Sequence, residues 1–506
     1  MSATSRPIPL PTAAASGPPR AGSGRRLRVL LIAEQANPEF VSVPLEGWSH
    51  SRAIADRVDA HVVTQVRNRD AFVRAGLVQG EDFTAIDSEK VAARIYKLAT
   101  AVRGGKGKGW TTVMALSAIS YTYFERLLWA KFGAAVRAGE YDLVHRLTPL
   151  SPTLPSRLAR KCHRAGVPFV MGPLNGGVPW PRKFDAARRA EREWFSYVRS
   201  LHKLIPGYAA TRRYASAIML GSVSTWEQMP ERYRDRCYYV PENAIDPERF
   251  SAVRTRRPRR GQTLKLVFVG RLVPYKGADM LLEACAKLIR EGRISLTIVG
   301  EGPERPKLRK MIEREQIGHG VGMPGWVEHD KLQNLLAAHD VFAFPSIREF
   351  GGAVVLEAMA VGLVPVVVDY GGPGELVTDQ TGYRIPIGPR PSIVAAMTTI
   401  LNRLVEDPSV LVSRGNAARR RVFSNFTWEA KSQQVLAVYR YVVRRSLNRP
   451  DFGMPLPDPR HDELLEPMFE APAAPAGSVF KAHALSVPSV SPGGRADRAF
   501  EPRSHQ

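Results

Sequence analysis

Short apolar runs punctuate the chain at intervals a helix would fill. "RLRVLLIA", "AHVVTQV", "YDLVH", "PFVMG" and "AIMLGS" form a first series between residues 26 and 222, and "LKLVFVG", "SLTIVG", "DVFAFPS" and "VPVVVDY" a second between 264 and 370. Continuous apolar runs alternating with helical stretches are the pattern of parallel strands buried on both faces. Two such series predict an α/β protein of two doubly wound, Rossmann-like domains. In such sheets ligands bind at the carboxyl ends of the strands, so two facing sheets would make a central cleft. The expected layout is an N-terminal domain over 26–220, a linker over 221–261 and a C-terminal domain from 262. Residues 1–25 and those from 448 to 506 ("APAAPAG", "SVPSVSPGG") lack apolar periodicity and read as disordered tails. No repeat of 20–50 residues is present.

Charge adds a preference for partners. The 506 residues carry a net charge of +24, from 72 Lys and Arg against 48 Asp and Glu, a field that favours anions such as nucleotide phosphates, acidic headgroups or nucleic acid. The basic run "RTRRPRR" reads as a solvated linker rather than a nucleic-acid arm, and no nucleic-acid module is recognisable. Cys162, Cys237 and Cys285 have no metal or redox spacing and fit buried thiols in a reducing compartment. The arginine pair in "GRRLRVLLIAEQ" suggests an export signal, but the apolar run ends at Glu34, so it reads as a first strand and the protein as cytoplasmic. The aromatic stretch "GWTTVMALSAISYTYFERLLWAKFGAAV" suits a core helix somewhat better than one lying in a membrane interface. "GVGMPG" has the dinucleotide-loop spacing without the following helix and is expected to form a loop beside a nucleobase.

Two segments carry candidate chemistry. In "FVGRLVPYKGADMLLEA" a strand ends at Gly270, a loop holds Arg271 and Lys276, and a helix starts near Ala278. Two cations in one strand-to-helix loop suit a diphosphate, aided by the helix N-terminus; the plainer alternative is a pair of surface cations. In "SIREFGGAVVLEAMAVG", Glu349 and Glu357 flank Gly351 and Gly352. The glycines let a ligand approach the backbone at a helix start, Glu349 suits sugar hydroxyls, and Glu357 suits a ribose diol through both oxygens. Glu357 sits among Val354, Val355, Leu356, Ala358, Met359 and Ala360, where a carboxylate needs a partner.

Together these segments resemble the retaining glycosyltransferases of the large "glycosyl group 1" family, which have the GT-B fold and a signature of Glu, seven residues, Glu. Beside Glu349 and Glu357 stand "GR…KG" (Gly270, Arg271, Lys276, Gly277), "VGEGP" (Gly300 to Pro303) and "P…GG…E" (Pro365, Gly371, Gly372, Glu375). "VPENAIDPERF" is similar to the family's linker, and 426–447 to its closing helix, which packs back on the N-terminal domain and leaves 262–425 as the C-terminal domain. The resemblance implies that Arg271 and Lys276 hold the donor diphosphate and Glu357 the ribose, while Glu349, with Gly351 and Gly352, holds the transferred sugar. It implies front-face displacement with retention, no cofactor, and cations in place of a metal; no Asp-x-Asp is present. The N-terminal half departs from the pattern. "VPLEGWSH" offers Glu46-Gly47 for the family's Gly-Gly loop, with Gly47 as the phosphate-approach candidate. "MGPLNGGVPWP" offers Asn175 on the acceptor side where the family often has a His, and His145 is the remaining catalytic candidate. The expected partners are a nucleoside diphosphate sugar of the UDP or GDP type and a glycan or lipid-linked acceptor, with peripheral contact to an anionic membrane. A sugar-phosphate synthase on the same fold, or a nucleic-acid-binding protein, are the other readings.

Overall fold

A computed structural model of the chain describes residues 25–40, 42–89, 110–176, 178–181, 184 and 205–459, with the side chains of 110–119 excluded. The expected arm over 1–24 and the stretch beyond 459 lie outside these residues, as does most of the basic segment following Trp180.

Two wholly parallel sheets organise the described chain. The N-terminal sheet contains β1 (Arg28–Ala33), β2 (Asp59–Gln65), β3 (Phe83–Ile86), β4 (Leu143–Thr148), β5 (Phe169–Leu174), β6 (Ala217–Leu220) and β7 (Cys237–Tyr239), in the order β3-β2-β1-β4-β5-β6-β7. The C-terminal sheet contains β8 (Leu264–Val269), β9 (Ile294–Val299), β10 (Val321–Gly325), β11 (Val341–Phe344), β12 (Val364–Asp369) and β13 (Tyr383–Pro386), in the order β10-β9-β8-β11-β12-β13. Each apolar run identified in the sequence is an interior strand. The four strands without such a run, β3, β7, β10 and β13, are the sheet edges. "GVGMPG" is therefore an edge strand, paired with β9, rather than the expected loop. The N-terminal sheet also continues past residue 220 into the expected linker, through β7.

Register pins the strand ends that matter. Leu266 of β8 pairs with Leu296 of β9 and with Val341 of β11, which places the β8 and β11 carboxyl ends side by side. The helix Trp110–Arg137 buries Tyr121, Phe124, Leu128, Phe132 and Val136 in the N-terminal core, spaced three or four apart as one helix face. Its described part is a core helix, and no described helix is long and apolar enough to cross a membrane. Cys162, Cys237 and Cys285 are free and buried.

The linker is less solvated than its composition suggests. Arg254 and Arg256 both reach Asp340, at 3.5 and 2.9 Å, and the side chains of Arg254 and Asp340 are 4% and 0% exposed. After the linker and the C-terminal sheet, the helix Trp428–Val442 crosses back: Val435, Val438 and Tyr439 enter the N-terminal core, and Arg57 Nε donates to Ser432 Oγ at 2.6 Å. Residues 448–459, expected within a structureless tail, pack instead. Leu456 is buried, and Arg421 donates to its carbonyl at 2.8 Å and to Asp458 at 2.9 Å.

Candidate functional site

The loop after β8 turns at Pro274–Lys276, and Gly277, in the left-handed region at φ 74°, starts the helix Ala278–Arg290. The loop after β11 is tied to that turn, since Ile347 N donates to the Tyr275 carbonyl at 2.9 Å. The consequence is a contact the sequence separates by 73 residues: the Lys276 ammonium lies against the Glu349 carboxylate, both mostly buried. Burial, and then the Arg271 guanidinium, push the Lys276 ammonium down to about 7. Glu349 supplies its counter-charge. Arg271 itself is exposed. Gly371 and Gly372 of "GG…E" lie directly on this loop; a side chain at either would strike the Glu349 or Phe350 carbonyl, and Gly372 N donates to the Glu349 carbonyl at 3.2 Å.

Gly352, at φ 72°, stands immediately before the helix Ala353–Ala360 and turns the loop into it. Its neighbour Gly351 is a glycine for a reason the sequence did not disclose. A side chain there would collide with Asn243 and Glu242 of the linker, so its Cα is covered by protein rather than held open for a ligand. Glu357, 13% exposed, finds the partner its apolar helix demands: His329 Nε2 donates to Oε1 at 2.8 Å. His329 is itself fixed by Arg249, which donates to Nδ1 at 2.5 Å. One of the two Glu357 oxygens expected to take a diol thus already accepts from His329. Glu375 ties the halves together, accepting from Val223 N at 3.0 Å and from the Tyr239 hydroxyl at 2.8 Å; burial pushes its carboxyl up to about 7.

The N-terminal candidates behave differently. Gly47 lies within the helix Val43–Ala55, not in a loop, and a side chain there would collide with the Gln35 carbonyl beside Thr148. His145 is fully buried: Nε2 donates to the Gly172 carbonyl at 2.6 Å, and Nδ1 accepts from the Tyr439 hydroxyl at 2.5 Å. Both nitrogens are used, and burial pushes the imidazole down to about 3, so the structure corrects its reading as a catalytic group. Asn175 does lie at the interdomain junction, but it is buried and donates to Glu242. Glu242 went unnoticed in the sequence. Its signal was the one that marked Glu357, a carboxylate among apolar neighbours in "YYVPENAI". Arg348 and Tyr370 add further interdomain contacts, to the Val178 carbonyl at 3.4 Å and the Pro179 carbonyl at 2.7 Å.

The two parallel sheets, with the Lys276 and Glu349 loops at adjacent strand ends, make up the GT-B fold. Residues 251–421 match the model of the family "Glycosyl transferases group 1". It is 32% identical to the Mycobacterium tuberculosis "Glycogen synthase" over 219 residues, which cover 43% of this chain and 51% of that protein. It is 31% identical to the Corynebacterium glutamicum "GDP-mannose-dependent monoacylated alpha-(1-6)-phosphatidylinositol monomannoside mannosyltransferase" over 232 residues, 44% of this chain and 58% of that protein. The chain thus spans about half the length of these curated relatives. Among solved structures, Anabaena HepE in complex with UDP and glucose superposes with a TM-score of 0.51 at 17% identity, covering 81% of this chain and 98% of that one, which shows a shared fold.

Proposed function

We propose that the chain transfers a sugar from a nucleoside diphosphate sugar, of the UDP or GDP type, to a glycan or lipid-linked acceptor with retention of configuration and without a metal ion. The observation that carries this reading is the meeting of Lys276 and Glu349, from separate loops, beside Arg271 at the strand ends of the C-terminal sheet. Arg271 and Lys276 stabilise the departing diphosphate, a contribution that grows as the glycosidic bond to phosphate breaks. A diphosphate arriving at Lys276 restores the proton that burial has loosened, and it competes with Glu349 for the ammonium. Glu349 is then released to accept from sugar hydroxyls. Glu357 keeps Oε2 for the ribose.

Front-face displacement with retention is what the resemblance to the family implies, and neither N-terminal candidate offers a base. His145 has no free nitrogen, and Asn175 has no titratable proton. On that mechanism a diphosphate oxygen takes the acceptor proton. The GDP-mannose-dependent relative supports a GDP-type donor and a lipid-linked acceptor, and HepE, of the same fold, was crystallised with UDP and glucose. The net charge of +24 suits work against anionic lipid at the cytoplasmic face of a membrane. Neither a cofactor nor nucleic acid enters this reading.

Calorimetric titration with UDP, GDP and ADP in EDTA tests it, with Glu357→Ala as control. Tight binding of one nucleotide, weakened in the variant, supports the donor site and names its base. Absence of binding by all three removes the reading.

A further inference from the structure

The linker residue Glu242 follows β7 and is 4% exposed, at the point where both sheets meet. Its Oε1 accepts from Asn175 Nδ2, and its backbone carbonyl accepts from His50 Nε2 at 2.8 Å. Oε2 is buried without a hydrogen-bond partner among the described residues. The carboxylate is wedged between two glycines, one from each domain. A side chain at Gly221, after β6, would strike Oε2, and one at Gly351, in the loop after β11, would strike Oε1. Asn175 cannot turn away, because its Oδ1 accepts from Gly176 N at 2.7 Å and from Ser222 Oγ at 3.1 Å. A carboxylate sunk this deeply is costly to keep ionised, a cost that a neutral side chain of the same shape would avoid.

We propose that Glu242 is a positioning residue of the transfer reaction, holding the Asn175 amide of the acceptor side against the Gly351 backbone of the donor loop. This rests on the transferase reading above. The cleft needs its two halves in one register, since reacting atoms misplaced by about 1 Å lose on the order of a hundredfold in rate. The hydrogen bond from Asn175 to Glu242, and the close packing of Glu242 on Gly351, set that register from the linker. The groups facing Glu242 are Glu46 and His50 of the helix Val43–Ala55, Tyr239 of β7, Glu375 of the short helix Gly372–Leu376 and Lys431 of the closing helix. Lys431, fully buried, is the one cation among them and favours the ionised carboxylate. The Asn175 N–H favours it too, so the tie is strongest when Glu242 is charged and slackens as it protonates in mildly acidic solution.

The test is nucleoside diphosphate release from the sugar nucleotide whose base calorimetry identifies, for the full chain and for Glu242→Gln, Asn175→Ala and the double variant. Both single variants are expected to lower kcat about ten- to a hundredfold, with KM for the donor and nucleotide Kd within about threefold of wild type. The double variant is expected to lose no more than the worse single one, as two members of one device do. Wild type should also lose kcat on acidification through about 7, a limb absent from Glu242→Gln. Wild-type kcat and an unchanged acid limb in Glu242→Gln would overturn the inference while leaving the transferase reading intact. If Glu242→Gln does not fold, Asn175→Ala decides alone, and wild-type kcat in that variant overturns it equally. No nucleotide binding by wild type removes the reading and the inference together.

Discussion

The two halves of this molecule treat their polar residues in opposite ways. In the C-terminal half, Lys276 and Glu349 come from loops far apart in sequence and meet at adjacent strand ends, while Arg271 stays exposed beside them. In the N-terminal half, His145 and Asn175 turn inward: one is bonded through both ring nitrogens and the other is tied to Glu242, while Gly47 is packed against a carbonyl. Charge left incompletely paired near solvent is available to a ligand, whereas a buried polar group with every lone pair used is part of the frame. On the proposed reading, the contrast fits the C-terminal half as the donor side and the N-terminal half as a wall held in place.

The sharpest way to break the comparison is to remove a cation from the first half. Lys276→Ala takes away leaving-group stabilisation and leaves Glu349 without its counter-charge. Turnover should fall about a hundred- to a thousandfold, with the unfolding midpoint within a few degrees of wild type. A variant that turns over normally would sink the assignment of Lys276. Its counterpart is Gly47→Ala in the second half, where the new methyl meets the Gln35 carbonyl. There the expected loss is in stability, about 1–3 kcal/mol by denaturant unfolding, with nucleotide affinity little changed. If affinity collapsed while stability held, Gly47 would belong to the phosphate site after all.

Glu357→Ala sits between these extremes. It removes a carboxylate that accepts from His329 and has a second oxygen to offer. Nucleotide affinity should weaken about ten- to a hundredfold by calorimetry, the worth of a hydrogen bond to a charged group, while kcat at saturating donor changes less. Equal losses in kcat and affinity would place Glu357 at the reacting centre instead of the ribose.

What could be read from sequence follows the same physics. Interior strands such as β8 and β11 are buried on both faces and must be apolar throughout, so they stand out. The edges β3, β7, β10 and β13 have pairing on one side only, and their short sequences ("FTAI", "CYY", "VGMPG", "YRIP") carry no such run. The proposed donor residues stand out because their chemistry sits in local patterns: two cations in one loop, two acids about two glycines. The Lys276–Glu349 contact does not, since it depends on which strand ends adjoin. Glu242 and Lys431 were harder still, because burial makes them unusual and burial is set by the closing of one domain on the other.

Glu46 allows the smallest and most specific test of the N-terminal half as a frame. It lies in the helix Val43–Ala55, and burial, then the neighbouring Glu242, push its carboxyl up to about 8. In the unfolded chain the same group ionises near 4.5. The folded form therefore holds a proton that the unfolded form has released, and stability falls as the pH rises between those values. Lys431, pushed down to about 7, acts in the opposite direction only from about pH 7 upward and is common to wild type and the variant. Glu46→Gln keeps the shape and removes the ionisation. Its unfolding midpoint should match wild type near pH 4 and exceed it by a few degrees, about 1 kcal/mol, near pH 9. A gap that fails to widen with pH would mean that Glu46 meets water in solution and that this wall of the cleft opens.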